Sequence, residues 1–245
     1  MEWWRRHKRC EHRIIVLGAG GHAKTVLDAL QRSGETRAVG LLDDRASLQG
    51  AEVCGARVLG TLDSLMQRAN ETSATACVAA IGDNDRRREV VARSLQTWPD
   101  VRYAVVLHPS VQLGRGACIG EGSVLCAGVI VGPDARIGRH CILNTGSSLD
   151  HDSVMGDFAS LAPRATVGGS STIGEGAAVC MGACISHGCT VGERALIGAG
   201  SVVLRHVPAN CLAHGVPARM IRERTANDPS YLTPSNDAVK LGTVE

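Results

Sequence analysis

A parallel β-solenoid preceded by a small α/β domain is the fold that the sequence predicts, and three observations predict it. From Leu107 to Val203 every sixth residue is aliphatic or Met, running Leu107, Leu113, Ile119, Leu125, Val131, Ile137 and onward with no break in register. Two residues before these positions the side chain is nearly always small, as at Ala117, Ser123, Ala135, Ser153, Ala159, Ala177, Ala183 and Ser201. Upstream, short apolar runs alternate with helical stripes, the pattern of a parallel sheet with helices on its faces. A period of six fits neither a 3.6-residue helix nor a two-residue strand alternation. It fits a coil in which each hexad supplies one short strand and one turn.

The elements follow in order. Residues 1–12 carry Trp3, Trp4, Arg5, Arg6, Lys8 and Arg9 and read as a solvated extension rather than a membrane-touching segment. Arg13 to Leu17 is a strand ending in Gly18-Ala19-Gly20-Gly21-His22-Ala23-Lys24, after which Thr25, Val26, Ala29 and Leu30 form a helical stripe. Strands are expected over Ala38–Leu42, Cys54–Leu59, Thr75–Ile81 and Val101–Val106, and helices over Thr61–Arg68 and Arg86–Gln96. Residues 13–103 therefore read as a truncated Rossmann-like domain. Gly18-x-Gly20-x-x-Ala23 follows a strand and opens a helix, so backbone N–H groups at a helix N-terminus can meet a phosphate. Asp43 or Asp44, at the end of the next strand, can accept hydrogen bonds from ribose or sugar hydroxyls. The unit over 13–103 has fewer than 100 residues, which leaves little room for the second half of an NAD dehydrogenase.

The solenoid occupies residues 104–206. Each aliphatic step points into a narrow prism, and three hexads close one coil, with coils stacked about 4.8 Å apart. Gly often follows the step (Gly114, Gly120, Gly132, Gly138, Gly156, Gly168) and is expected to take the positive φ of a sharp corner. Aromatics make up only 2% of the chain, which suits a prism with no room for rings. Residues 207–245 read as a C-terminal cap and tail, with Gly215-Val216-Pro217-Ala218-Arg219 closing the open strand edge.

Composition narrows the function classes. A net charge of +2 with no long block of one sign argues against a nucleic-acid groove, and the scarcity of rings argues against a single-strand stacking platform. No apolar run reaches the roughly 18 residues of a membrane span. Ten cysteines without an export signal point to a reducing compartment, the cytoplasm. Their spacings match no structural zinc site, so they read as small apolar filler, and no metal is expected.

The polar interruption of the solenoid is Asn144-Thr145-Gly146-Ser147-Ser148-Leu149-Asp150-His151-Asp152. Leu149 points inward, so His151 falls near an outer corner. An imidazole with an ordinary pKa of about 6.5 is a suitable general base near neutral pH, and Asp150 or Asp152 can orient it. The plainer reading is a surface histidine on a solenoid corner. His187 lies two coils further on the same side, about 10 Å away at the strand spacing, too far for a direct bond.

Taken together, Gly20-Gly21-His22-x-Lys24, Asp43-Asp44, Ile81-Gly82-Asp83-Asn84 with Arg87, and His108-Pro109-Ser110 feeding a hexad solenoid resemble the hexapeptide-repeat sugar acetyltransferases. That group comprises the bacillosamine-pathway UDP-4-amino-sugar N-acetyltransferases, perosamine N-acetyltransferases and sialic acid O-acetyltransferase-like proteins. The resemblance runs from about Arg13 to Arg222. It implies a left-handed parallel β-helix, a winding against the usual crossover rule, and a homotrimer with the acyl donor between neighbouring prisms. It also implies acetyl-CoA as co-substrate and a UDP- or GDP-linked amino-deoxy sugar as acceptor. Residue by residue, it implies His151 as proton acceptor, Asp152 as its tuning partner and Asn144 beside the reacting amine. Gly20, Gly21, His22, Asp43, Asp44 and Gly82 would contact the nucleotide sugar, and Ser160, Met181 and Ala199 the acyl donor. Ser160 stands where relatives often carry a second histidine and cannot take a positive charge. Cys180 stands where relatives often carry Gly. Arg219, Arg222 or Arg224 would meet a CoA phosphate.

Sugar or sialic acid O-acetylation is the alternative within this class, and a cysteine-bound acyl intermediate is the mechanistic alternative. A γ-type carbonic anhydrase would need two closely spaced histidines, and the chain has no H-x-x-x-x-H. A non-catalytic trimeric subunit is opposed by the His-Asp corner and the Gly-rich loop.

Overall fold

The computed structural model describes residues 12–34, 36–225 and 228. The Trp/Arg segment before His12 and most of the expected C-terminal tail lie outside the described residues. The first body is a five-stranded sheet. Its elements are β1 (His12–Leu17), α1 (Gly21–Ser33), β2 (Thr36–Leu42), β3 (Glu52–Val53), β4 (Ala56–Gly60), α2 (Leu65–Thr72), β5 (Ala76–Ala79) and α3 (Asn84–Thr97). The spatial order is β3-β4-β2-β1-β5, parallel except for β3 against β4.

β1 is apolar and buried from Ile14 to Leu17 because both its faces are covered there. Ile14 and Val16 pack with Ala23, Val26, Leu27 and Leu30 of α1, while Ile15 and Leu17 pack toward Leu65 of α2 and Val91 of α3. Gly34 ends α1 in the left-handed region at φ 67°, and Asp83 caps α3 by accepting from Arg86 N at 2.7 Å.

Two expectations shift. Cys54 and Gly55 form a tight turn between β3 and β4 rather than part of a strand. Val101–Val106 is not a sheet strand either. It makes a single bridge, Tyr103 to Cys77, and Val106 already pairs with Val124 in the solenoid.

The second body is a left-handed parallel β-helix of two-residue strands. Its first face stacks Val106–Leu107, Val124–Leu125, Ile142–Leu143, Ser160–Leu161, Ala178–Val179 and Leu196–Ile197. The second face stacks the pairs from Gln112–Leu113 through Ser148–Leu149 to Val202–Val203, and the third those from Cys118–Ile119 to Thr190–Val191. From Leu125 to Val203 the predicted inward residues form one continuous core with the small corner residues, whereas in the first coil Leu107 and Ile119 are only partly buried and Leu113 is 47% exposed, because no coil stacks beneath them. A hairpin of Cys211–Gly215 and Ala218–Glu223 extends the first face, Leu196 pairing with Leu212.

The corners differ from expectation in an instructive way. The left-handed residue is the third after each inward step, at Gly116, Gly122, Gly128, Asp134, His140, Gly146, Asp152, Phe158 and so on to Gly200. The Gly that follows the step is needed for a different reason. A Cβ on Gly132 would fall 2.4 Å from His151 N in the next coil, so bare backbone is what lets the coils stack.

The small domain sits on the first face. Its core cluster runs on into Val106, Val124 and Cys126 of the solenoid, while Asn84 and Arg87 of α3 bond backbone carbonyls along the edge between the third and first faces.

Candidate active site

His151 and Asp152 occupy the edge between the second and third faces, opposite the small domain. The His151 ring is half exposed, and its Nδ1 lies 2.8 Å from Asp152 Oδ2. A carboxylate can only accept, so Nδ1 carries the hydrogen and Nε2 of the neutral ring keeps its lone pair. Asp150 does not orient the ring; its Oδ1 accepts from His151 N at 2.8 Å. The Asp152 hydrogen bond, and then the Asp150 charge, hold the imidazole above its ordinary 6.5. Asp152 lies at φ 56°, in the left-handed region, which Asp tolerates better than most residues.

One coil further along the same edge, Gly169 makes room for the ring. A Cβ there would sit 2.5 Å from both Nε2 and Cε1 of His151. Gly169→Ala is therefore expected to push the imidazole aside. It should lower kcat about tenfold or more with little change in thermal unfolding, since a 1 Å misplacement can cost on the order of a hundredfold. The signal was present in the chain: among the hexads from Arg115 to Ala199, Gly169 is the only glycine two places after the inward residue.

Asn144 is half-buried on a different edge, between the first and second faces, with Oδ1 3.8 Å from Cys126 Sγ. Met181 (61% exposed) and Ala199 lie on that same edge. Ser160 is buried on the first face at 1% exposure. Within one chain, then, the predicted acyl-donor residues and His151 are not brought together.

The Gly-rich loop is held from below. Asp43 Oδ2 accepts from Ala19 N at 2.8 Å, and its Oδ1 accepts from Arg45 N and Nε at 3.0 and 2.8 Å. The Arg45 hydrogen bonds draw the Asp43 pKa down to about 2. Asp44 Oδ1 accepts from Leu62 N and Oδ2 from Arg93 Nη1. Both carboxylates, read from the chain as acceptors for a ligand, are engaged in shaping the loops around them. Gly20 precedes α1 without a side-chain cap, leaving the helix N-terminus to backbone N–H groups at Gly21 and beyond. His22 Nε2 is buried without a hydrogen-bond partner among the described residues, and burial, then the Arg87 charge, lowers its pKa to about 4. Gly82 O accepts from Arg87 Nη1 at 3.1 Å.

Two concavities flank these groups. A cavity of about 270 Å³ between α1 and the Asn144 edge is lined by Lys24, Thr25, Asp28, His108, Cys126 and Thr145. A shallow groove of about 490 Å³ runs down the second face past Asp150, Gly168, Ser186 and His187. His108 belongs to the His108-Pro109-Ser110 stretch that feeds the solenoid, whereas Thr25, Asp28 and Thr145 carry no site signal in the sequence, because only folding brings α1 against the rod. No group of His, Cys, Asp and Glu that would hold a metal ion occurs among the described residues, and no described helix is long and apolar enough to cross a membrane.

Comparison with known proteins places this geometry. Residues 13–94 match the PglD N-terminal domain family, and residues 170–205 match the bacterial transferase hexapeptide family. A curated relative, UDP-N-acetylbacillosamine N-acetyltransferase of Bacillus subtilis, is 34% identical over 115 residues, 46% of this chain, and the match spans about half (51%) of the relative's length. A variant of GDP-perosamine N-acetyltransferase from Caulobacter crescentus, solved with CoA and GDP-perosamine, is similar at 33% identity and TM-score 0.79, covering 86% of this chain and 97% of that one. The acetyltransferase domain of PglB from Neisseria gonorrhoeae, solved with acetyl coenzyme A, is 30% identical with TM-score 0.78, covering 86% and 100%. Similarity at 30% identity or more along nearly the whole length of these solved relatives shows that the chain belongs to the hexapeptide-repeat N-acetyltransferase family that carries a PglD-type N-terminal domain.

Proposed function

We propose that the chain transfers an acetyl group from acetyl-CoA to the amino group of a nucleotide-linked amino sugar, with His151 as general base. The observation that carries this reading is the exposed His151 ring, with Nδ1 bonded to Asp152 and Nε2 left to face a substrate. The amine nitrogen attacks the thioester carbonyl carbon as Nε2 takes its proton. The tetrahedral intermediate then collapses, the C–S bond breaks, and the proton passes to the departing CoA sulfur. In this reading attack is direct. Burial pushes the thiols of Cys126 and Cys141 up to about 12 and that of Cys180 up to about 11, so these three thiols, the first and last of them beside the Asn144 edge, are poor nucleophiles for an acyl-enzyme.

The nucleotide binds at the Gly20–Gly21 loop, where helix-terminal N–H groups can meet its phosphates. The sugar occupies the cavity between α1 and the rod, among Lys24, Thr25, Asp28, His108 and Thr145, which brings its amine toward Asn144. A ring-sized space with convergent polar groups fits one saccharide and is too small for a nucleotide as well.

The reacting parts of one chain sit on separate edges, so the site is built between copies in a homotrimer. One copy presents His151 and Asp152, and its neighbour presents the small domain, Asn144, Met181 and Ala199. Ile130 (53% exposed) and Val154 (42% exposed), on the two faces that the small domain leaves bare, supply apolar surface for that packing. Co-expressed His151→Ala and Asp43→Ala chains, each inactive alone, are expected to recover acetyl transfer as mixed trimers. A site contained within one chain gives no recovery.

Acetyl-CoA with a panel of UDP-, GDP- and dTDP-linked amino sugars, followed by release of free thiol and the mass of the product, tests the whole reading. Thiol release with a mass gain on the amine of one of these sugars is expected. Release only with hydroxyl acceptors, or with none, overturns it.

A further inference from the structure

Arg87 is fully buried at the seam between the two bodies, and its guanidinium makes hydrogen bonds in both directions. Nη1 donates to Ile81 O at 2.9 Å and Gly82 O at 3.1 Å, the loop leading from β5 into α3. Nε donates to His140 O at 2.8 Å, and Nη2 to Phe158 O and Asn84 Oδ1 at 2.8 Å each. A guanidinium has five N–H donors in one rigid plane, and these five acceptors fill that fork. Asn84 continues the pattern, its Nδ2 donating to Gly176 O at 3.1 Å and Ala177 O at 3.2 Å.

The rod acceptors are not scattered. His140, Phe158 and Gly176 are successive left-handed corners of one edge, one per coil. The same turn of α3 sends Arg88 to Glu175 and over the Phe158 ring, and Asp85 to Arg194 on the next coil. The first turn of α3 thus engages four consecutive coils. A slip by one coil would set Arg87 and Asn84 against the equivalent carbonyls of the next corners, but it would break the side-chain contacts of Arg88 with Glu175 and Phe158 and of Asp85 with Arg194 together.

We propose that Arg87, with Asn84, is a positioning residue for the acetyl acceptor. It fixes the Gly82 loop at one height along the rod, so that a nucleotide sugar held by the small domain presents its amine level with Asn144. This rests on the proposed acceptor class. It implies that the small domain is locked to the rod rather than hinged, and that the acceptor is aligned by docking register.

Arg87→Lys keeps the charge but offers three donors on a point-like ammonium, which cannot span acceptors on both sides of the seam. Steady-state kinetics with each substrate varied separately should show kcat/KM for the nucleotide sugar lowered at least tenfold, with KM for acetyl-CoA within twofold of wild type. Asn84→Ala should move the same parameters in the same direction by a smaller factor. The double variant should be no worse than Arg87→Lys alone, because the two side chains act as one unit. Asn84→Ala also keeps the test open if Arg87→Lys does not fold. Equal loss on both substrates, or wild-type nucleotide-sugar kinetics, overturns the proposal. If wild type turns over no amino sugar, the acceptor assignment has failed. Calorimetry with UDP and GDP then judges the clamp by itself: at least tenfold weaker binding in Arg87→Lys supports it, and unchanged binding overturns it.

Discussion

His151→Ala is expected to lower kcat for acetyl transfer by about a hundredfold or more while leaving acetyl-CoA affinity and the mass of the assembly in solution unchanged. General-base catalysis contributes roughly 10²–10⁴-fold, and among the described residues no other imidazole stands within reach of the same corner. His187 is the nearest on that edge, two coils away. The pH dependence carries the same assignment. The base works when neutral, and Asp152 and Asp150 hold its pKa above 6.5, so kcat/KM should fall on the acid side along a limb placed above that value. Asp152→Ala removes the first of those causes, and the limb should move toward lower pH with a slower plateau. Near-wild-type turnover in His151→Ala, or a limb that stays put in Asp152→Ala, removes the histidine from the mechanism.

Acid should unfold this protein earlier than its carboxylates alone require. His140 is buried and His22 is half-buried with its Nε2 enclosed, and desolvation with the Arg87 charge lowers each to about 4. Between about 4 and 6.5 the unfolded chain binds protons that the folded chain refuses. The sign is therefore fixed: stability is full above 6.5 and is lost as pH falls toward 4, by about 3 kcal/mol for each histidine. Asp43, drawn down to about 2, adds its own loss only below that window. Urea midpoints measured at pH 7.5 and 4.5 should differ clearly, and His140→Phe should shrink the difference by about half. Phe is tolerated there because the His140 ring already stacks on Phe158 and lies edge-on to Tyr103, and Phe158 itself holds the equivalent left-handed corner one coil on. A midpoint that does not change between those pH values contradicts the assignment.

Much of this was legible in the chain because a solenoid writes its geometry in one dimension. Each hexad meets only its neighbours in the stack, so Leu125, Leu143, Leu161 and Val179 could be placed inside by counting. The His151 corner was legible for the same reason, since its distance from Leu149 sets which way it points. The glycines were read with the right identity and the wrong cause. Gly132 looked like a corner residue, but its lack of a Cβ serves a contact with His151 in the following coil.

What the sequence by itself determined is the rod, its inward residues, the α/β unit before it and the imidazole on an outer corner, all products of local spacing. Only the tertiary structure decided which face the small domain covers, and hence that His151 stands on the edge away from it. The same holds for the Arg87 seam, the fit of Gly169 to the His151 ring, and the engagement of Asp43 and Asp44 within their own loops. Arg87 bonds carbonyls 53 and 71 residues away, and contacts of that range obey no period. They arise when two finished surfaces meet, and the matching of donors to acceptors across them is a property of the folded pair rather than of either stretch of chain.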